Sequence, residues 1–182
     1  ATVGQGAMVL EAACIAQAGG TMDEAIERVK NIRRTHKIYF IPDSLTNLVK
    51  GGRASKFQGL ATSVLNLKIV VSLTETGAIE VLHKAKGMKN AVNYIVKLMA
   101  ERTREVGSSV YYKLHTKAYK ALEYMDRALE KVDAPVRFLT VATIGPTIAT
   151  HVGLHAVGLF TYPEEYHNPE LDDIAEYLTP EF

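Results

Sequence analysis

Tryptophan is absent from the 182 residues, and cysteine occurs once, as Cys14. A lone thiol excludes an internal disulfide and any cysteine-based metal site. Set in an apolar, helix-like run, it reads as buried and inert. An excess of one charge is lacking too, since 21 Lys and Arg stand against 20 Asp and Glu. A nucleic-acid binder concentrates positive charge on a face or along a helix, so this balance argues against DNA or RNA as the main partner. The apolar stretches are broken by Lys, Asn or Gly well short of the roughly 18 residues a membrane span needs. The opening ATVGQGAMVL has neither the basic start nor the apolar core of a signal peptide. The expected setting is the cytoplasm, with no stable membrane insertion. GxSxG, P-loop and HExxH motifs are missing, and Gly4-Gln-Gly6 is too short for a dinucleotide fingerprint. His151 and His155 stand four apart, but Gly153 between them breaks a helical metal pair, so no metal and no cofactor are expected.

What is present suffices for a core, because 47% of the residues are hydrophobic. The chain opens on a Gly-rich turn. Met8, Val9, Ala12, Ile15 and Ala16 then recur at helical spacing, ended by Gly19 and Gly20. Thr21 and Glu24 form a capping box for a second helix with Ile26 and Val29 on its apolar stripe. Lys37–Ile41 reads as a strand and Asp43 or Ser44 as the cap of a short helix ending at Gly51-Gly52. A further helix is expected over 55–64, and a hairpin over 67–84 with its turn at Glu75–Gly77. Helices over 88–105 and 117–131 alternate with strands over 109–114, 136–143 and 156–162. A short helix start at Pro146 precedes the last strand, and Pro163 ends it. The fold class implied is α/β, with a mixed, largely antiparallel sheet flanked by helices.

Two local motifs carry chemistry. In Lys50-Gly-Gly-Arg-Ala-Ser55 the paired glycines permit close approach of a ligand, and Arg53 offers a planar cation for a carboxylate or phosphate. The same tripeptide also suits a helix C-cap beside a solvated arginine. In Ile144-Gly-Pro-Thr-Ile-Ala-Thr-His151-Val-Gly153 a strand-to-helix turn aims backbone N–H groups above the sheet, with Thr150 and His151 at its far end. His151 is a candidate functional residue or a packed, hydrogen-bonded core histidine. His36, His83, His115 and His167 carry weaker signals, the last set in a stretch after Pro163 with seven Asp or Glu and no Lys or Arg.

Four segments, taken in order, resemble the DegV family: VGQGAMVLEAA with its GxTxDE helix start, FIPDSLTNLVKGGRAS, LNLKIVVSLTETGAIEVLHKAKG and IGPTIATHVGLHAVGLF. The resemblance implies a two-domain α/β protein holding a long-chain fatty acid between its domains, and presenting the carboxylate to the catalytic subunit of a fatty acid kinase. On this reading 1–36 are the closing helices of a first domain whose earlier part precedes this chain. Residues 37–162 are the second domain, and 163–182 an acidic tail past the usual family end. His151 matches the family's THxGPG histidine and Arg53 the arginine of its GGR, with Gly52 beside it. Lys86 falls where an arginine is usual, which keeps the charge and loses the bidentate fork. The family's GPG reads Gly153-Leu-His155 here, and the proline of its IKP motif is Ile69. Phe57, Leu60, Val64, Leu65 and Ile69 are candidates to line the acyl slot, since each buried methylene contributes about 0.8 kcal/mol. The competing expectations are a self-contained phosphotransferase using His151, which lacks a nucleotide loop, and a regulatory or interaction domain with an altered pocket.

Overall fold

The computed structural model describes residues 2–43, 45–52 and 66–173. Thr2 caps the first helix, α1 (Val3–Gln17), by accepting from the Val3 N–H. The expected Gly-rich turn is therefore the first turn of a helix. A side chain at Gly4 would put its Cβ 2.8 Å from Phe160 Cε2, so glycine lets α1 lie directly on that ring. The inward face of α1 also differs from expectation: Gly4, Ala7, Glu11 and Cys14 are buried, while Val9 is 61% exposed. The helix is apolar nearly all round, so hydrophobicity gives it no direction; the partners of Glu11 do. Burial, with Glu11 adding to it, pushes the Cys14 thiol pKa up, which keeps it a poor nucleophile. α2 (Met22–Thr35) starts at the expected capping box, with Thr21 N–H donating to Glu24 at 2.6 Å.

The chain continues through β1 (Lys37–Ile41), α3 (Leu45–Lys50), β2 (Leu67–Leu73), β3 (Ile79–Lys86), α4 (Met88–Val106), β4 (Ser109–His115) and α5 (Tyr119–Leu129). β5 (Val136–Thr143), α6 (Pro146–Val152) and β6 (Val157–Pro163) follow, and then a 3₁₀ turn at Glu164–Tyr166. The six strands form one sheet in the order β3-β2-β1-β6-β4-β5, antiparallel at every junction except β4–β5. This is the mixed, largely antiparallel sheet the sequence implies. The helix expected over 55–64 lies outside the described residues.

Side chains alternate between the two faces of the sheet. Ile38, Val71, Leu114, Phe160 and Tyr162 face α1, α2, α3 and α6, whereas Tyr39, Ile41, Val70 and Leu159 face α4 and α5. β6 is buried along its whole length. Gly158 sits there opposite Phe40 of β1 and Leu114 of β4. An added Cβ would lie 2.8 Å from both Phe40 Cβ and the Tyr39 carbonyl oxygen, and the latter is backbone that cannot swing away. Gly158→Ala is therefore expected to destabilise by about 2 kcal/mol in urea unfolding, with an unchanged slope. An unaltered midpoint would contradict the closeness of the two strands.

A buried ion cluster fastens α1 and α2 to the sheet. The Glu11 carboxylate is fully buried and accepts from Arg28 at 3.0 Å, the Tyr162 hydroxyl at 2.9 Å, His167 Nδ1 at 3.1 Å and the Asn168 N–H at 3.1 Å. Arg28 also donates to the Tyr166 carbonyl at 2.8 Å. His167 Nε2 reaches Asp172 at 2.9 Å, and Arg137 on β5 bridges Asp172 at 2.6 Å and Glu164 at 2.5 Å. His167, a weak signal in the sequence, is thus a buried link between α1 and residues 164–173. Burial alone would lower its pKa, but the bonds to Glu11 and Asp172 outweigh it and raise it. For Asp172, desolvation is likewise outweighed by His167 and Arg137, and its pKa is lowered.

A raised histidine pKa adds stability that is complete below its unfolded value and is lost as pH rises through the folded one. A lowered aspartate pKa adds stability above its unfolded value, lost as pH falls through the folded one. The clasp is accordingly strongest between the ordinary values of 3.8 for Asp172 and 6.5 for His167. The gap in melting temperature between the protein and His167→Gln is expected to peak in that window and to shrink above neutrality. A gap that widens with alkalinity would overturn the protonated form of His167.

Candidate functional site

The two sequence motifs meet at one end of the sheet. β5 ends at Thr143, the Ile144 N–H donates to the His115 carbonyl at 2.9 Å, and Pro146 occupies the first turn of α6. Proline is pre-organised for that position and loses no hydrogen bond there. α6 stops at Gly153, whose φ of +84° favours glycine. The Asp43 N–H donates to the Val152 carbonyl at 2.9 Å, stitching the end of α6 to the end of β1. α3 packs beside α6 and closes in a C-cap: Gly51 N–H donates to Asn47 at 2.9 Å and Gly52 N–H to Val49 at 3.0 Å. Gly52 has φ of +72°. A Cβ at Gly51 would collide with His151 Nδ1 and lie 2.7 Å from Cε1, so this glycine makes room for the histidine.

Between these two short helices and the sheet runs an apolar slot of about 290 Å³. Ile38 and Phe40 of β1, Leu48 of α3, Leu114 of β4, and Ile144 and Ile148 around the start of α6 form its walls. Leu73 and Ile79 of the hairpin line it from the strand ends opposite to His151. Its polar groups are Thr2, Thr147 and His151. His151 Nδ1 is buried and has no hydrogen-bond partner among the described residues. A buried ring nitrogen left unpaired is costly, by about 1–3 kcal/mol. A ligand oxygen at this end of the slot would relieve that cost. Lys68 lies close by, donating to the Asp43 carbonyl at 3.1 Å and pairing with its carboxylate at 3.6 Å.

Of the residues singled out in the sequence, His151 lines the slot and Gly52 ends the helix beside it. Thr150 points to solvent, its hydroxyl donating to the Thr147 carbonyl at 2.8 Å. Lys86 is exposed at the end of β3, opposite Leu67, and is not among the slot residues. Ile69 is 6% exposed and belongs to the core on the slot's face, without lining the slot. Arg53, Phe57, Leu60, Val64 and Leu65 lie outside the described residues. The slot's observed walls, Phe40, Leu48, Ile144 and Ile148, were not singled out. The spacing of Ile144 and Ile148 around Pro146 was the available signal, since it places both on one side of a helix start. Leu154, in the altered turn after Gly153, is 57% exposed, and His155 takes a φ of +69° with its ring against the Lys117 carbonyl.

A family profile described as "Uncharacterised protein, DegV family" matches residues 1–164. The chain belongs to the DegV family. Among curated DegV relatives, a DegV domain-containing protein of Clostridium acetobutylicum is 26% identical over 161 residues, covering 88% of this chain and 57% of its own. One of Caldanaerobacter subterraneus is 31% identical over 160 residues, covering 87% of this chain and 56% of its own. The present chain therefore spans little more than half the length of these relatives. A DegV family protein from Thermus thermophilus, described by its fatty acid binding, superposes with a TM-score of 0.79 at 29% identity, covering 90% of this chain and 58% of that one. A fatty acid binding DegV family protein from Streptococcus agalactiae gives 0.73 at 26% identity, with 87% and 56% covered. The Fatty Acid Kinase (Fak) B3 protein of Streptococcus pneumoniae, solved loaded with linoleic acid, shares the fold at a TM-score of 0.70 and 22% identity, with 86% and 54% covered. No described helix of this DegV chain is long and apolar enough to cross a membrane.

Proposed function

We propose that this DegV chain holds a long-chain fatty acid, its methylenes in the apolar slot and its carboxylate at the His151 end. It acts in the cytoplasm as a carrier that performs no reaction alone. A separate kinase subunit converts the presented carboxylate to an acyl phosphate. The observation that carries the reading is the slot itself: apolar along its walls, and closed at one end by a histidine whose buried Nδ1 lacks a partner among the described residues. The fatty-acid-binding DegV proteins from Thermus thermophilus and Streptococcus agalactiae, both above 25% identity, support it.

Organic extraction and mass spectrometry of the gently purified protein test it. A stoichiometric fatty acid, or saturable uptake of oleic acid by the delipidated protein, is the expected result. Absence of both would overturn the reading, and ATP turnover by the chain alone would overturn its non-enzymatic part. Gly51→Ala adds a methyl where His151 Nδ1 now sits. It is expected to weaken oleate binding by about tenfold, the loss of one good polar contact, with little change in melting temperature.

A further inference from the structure

On the sheet face opposite the slot, α4 and α5 run side by side with a groove of about 460 Å³ between them. Its floor is apolar: the buried Val96 and Ala100 of α4 lie beside Ala128 of α5, with the half-buried Tyr124 and Val132 next to them. Its rims are cationic: Lys89, Lys97 and Arg104 along α4, Arg127 and Lys131 along and just beyond α5. Among the described residues the only carboxylate lining it is Glu101, paired with Lys97 at 3.6 Å. Five cations less one carboxylate leave +4 in this groove, within a chain whose formal charge is +1. Lys97 shares its charge with Glu101, Arg127 meets Glu123 at 3.9 Å, and Arg104 donates to the Asp133 carbonyl at 3.2 Å, while Lys89 and Lys131 form no ion pair among the described residues.

A concave strip with one sign of charge on both rims focuses the field and favours an oppositely charged partner. An apolar floor adds the burial that charge alone does not supply. A bilayer would require apolar side chains standing proud of the cations, and here they lie below them. Two cationic rows flanking a recessed apolar strip match a helix with an apolar stripe flanked by carboxylates. We propose that the α4–α5 groove docks an acidic amphipathic helix of a partner protein. The groove is separated from the slot by the sheet, so docking leaves the slot uncovered. The inference stands on this surface alone, whatever the slot holds.

The test uses a synthetic helical peptide with leucines along one stripe and glutamates on both flanks. Amide chemical shifts of the isotope-labelled protein are followed during titration. Shifts confined to residues 89–104 and 124–132, and an affinity that falls with added salt, are expected. The Lys97→Glu/Arg104→Glu/Arg127→Glu/Lys131→Glu variant is expected to weaken binding by at least about tenfold. The milder Lys97→Gln/Lys131→Gln pair, which leaves the fold untouched in any case, is expected to weaken it by about threefold. Shifts scattered over the surface, or unchanged affinity in both variants, overturn the proposal. So does equal binding of a polyglutamate lacking leucine, or tighter binding of phosphatidylglycerol vesicles or single-stranded DNA.

Discussion

Glu11→Ala is expected to lower stability by about 3 kcal/mol, the scale for removing one member of a buried charge cluster. For a chain of this length that corresponds to a fall in melting temperature of roughly 10 °C. The substitution deletes the acceptor for Arg28, the Tyr162 hydroxyl, His167 and the Asn168 N–H together. Tyr162 is 1% exposed and its hydroxyl is pushed far above the ordinary tyrosine range, first by burial, so it cannot ionise to compensate. His167, with its side chain 2% exposed, would keep Asp172 as a partner but lose its inner one. Differential scanning calorimetry at pH about 6, where the clasp is strongest, gives the clearest reading. Hydrogen exchange provides a second: amides of α1 and of 164–173 are expected to lose protection before those of β4 and β6. A shift below about 1 kcal/mol, the scale of an exposed pair, would mean that the cluster does not anchor the helices.

Ile148→Trp is expected to weaken fatty acid binding by about a hundredfold while leaving the protein folded. Ile148 is half-buried and lines the slot, a cavity of about 290 Å³ that an indole at this position would partly fill. Excluding about four methylenes of a ligand forfeits roughly 3 kcal/mol, or about two orders of magnitude in affinity. Because the residue is only partly buried, the melting temperature should move little, which separates a filled slot from a broken fold. Undiminished oleate uptake by a folded Ile148→Trp protein would place the acyl chain elsewhere.

The strands and longer helices were legible because their periodicities are clean. β5 runs over the expected Val136–Thr143, and the capping box at Thr21 starts α2 as anticipated. Those signals are local, a matter of alternation, breakers and side chains that reach backbone groups within a turn. The site was legible only in part. The two motifs holding His151 and Gly52 stood out through their glycines, yet nothing local says that a histidine from one fills the space left by Gly51 in the other. Thr150, next to His151, differs from it by one helical step and so faces solvent.

By itself, then, the sequence determined the α/β class, the order of the described elements and the two segments that build the slot's polar end, because each depends on interactions a few residues apart. The tertiary structure alone decided which face of α1 is inward, the union of Glu11 with Tyr162 and His167, and the walls of the slot. Those contacts join residues as much as 156 positions apart. They exist because strand pairing and the burial of particular charges bring distant residues together, which no spacing along the chain records.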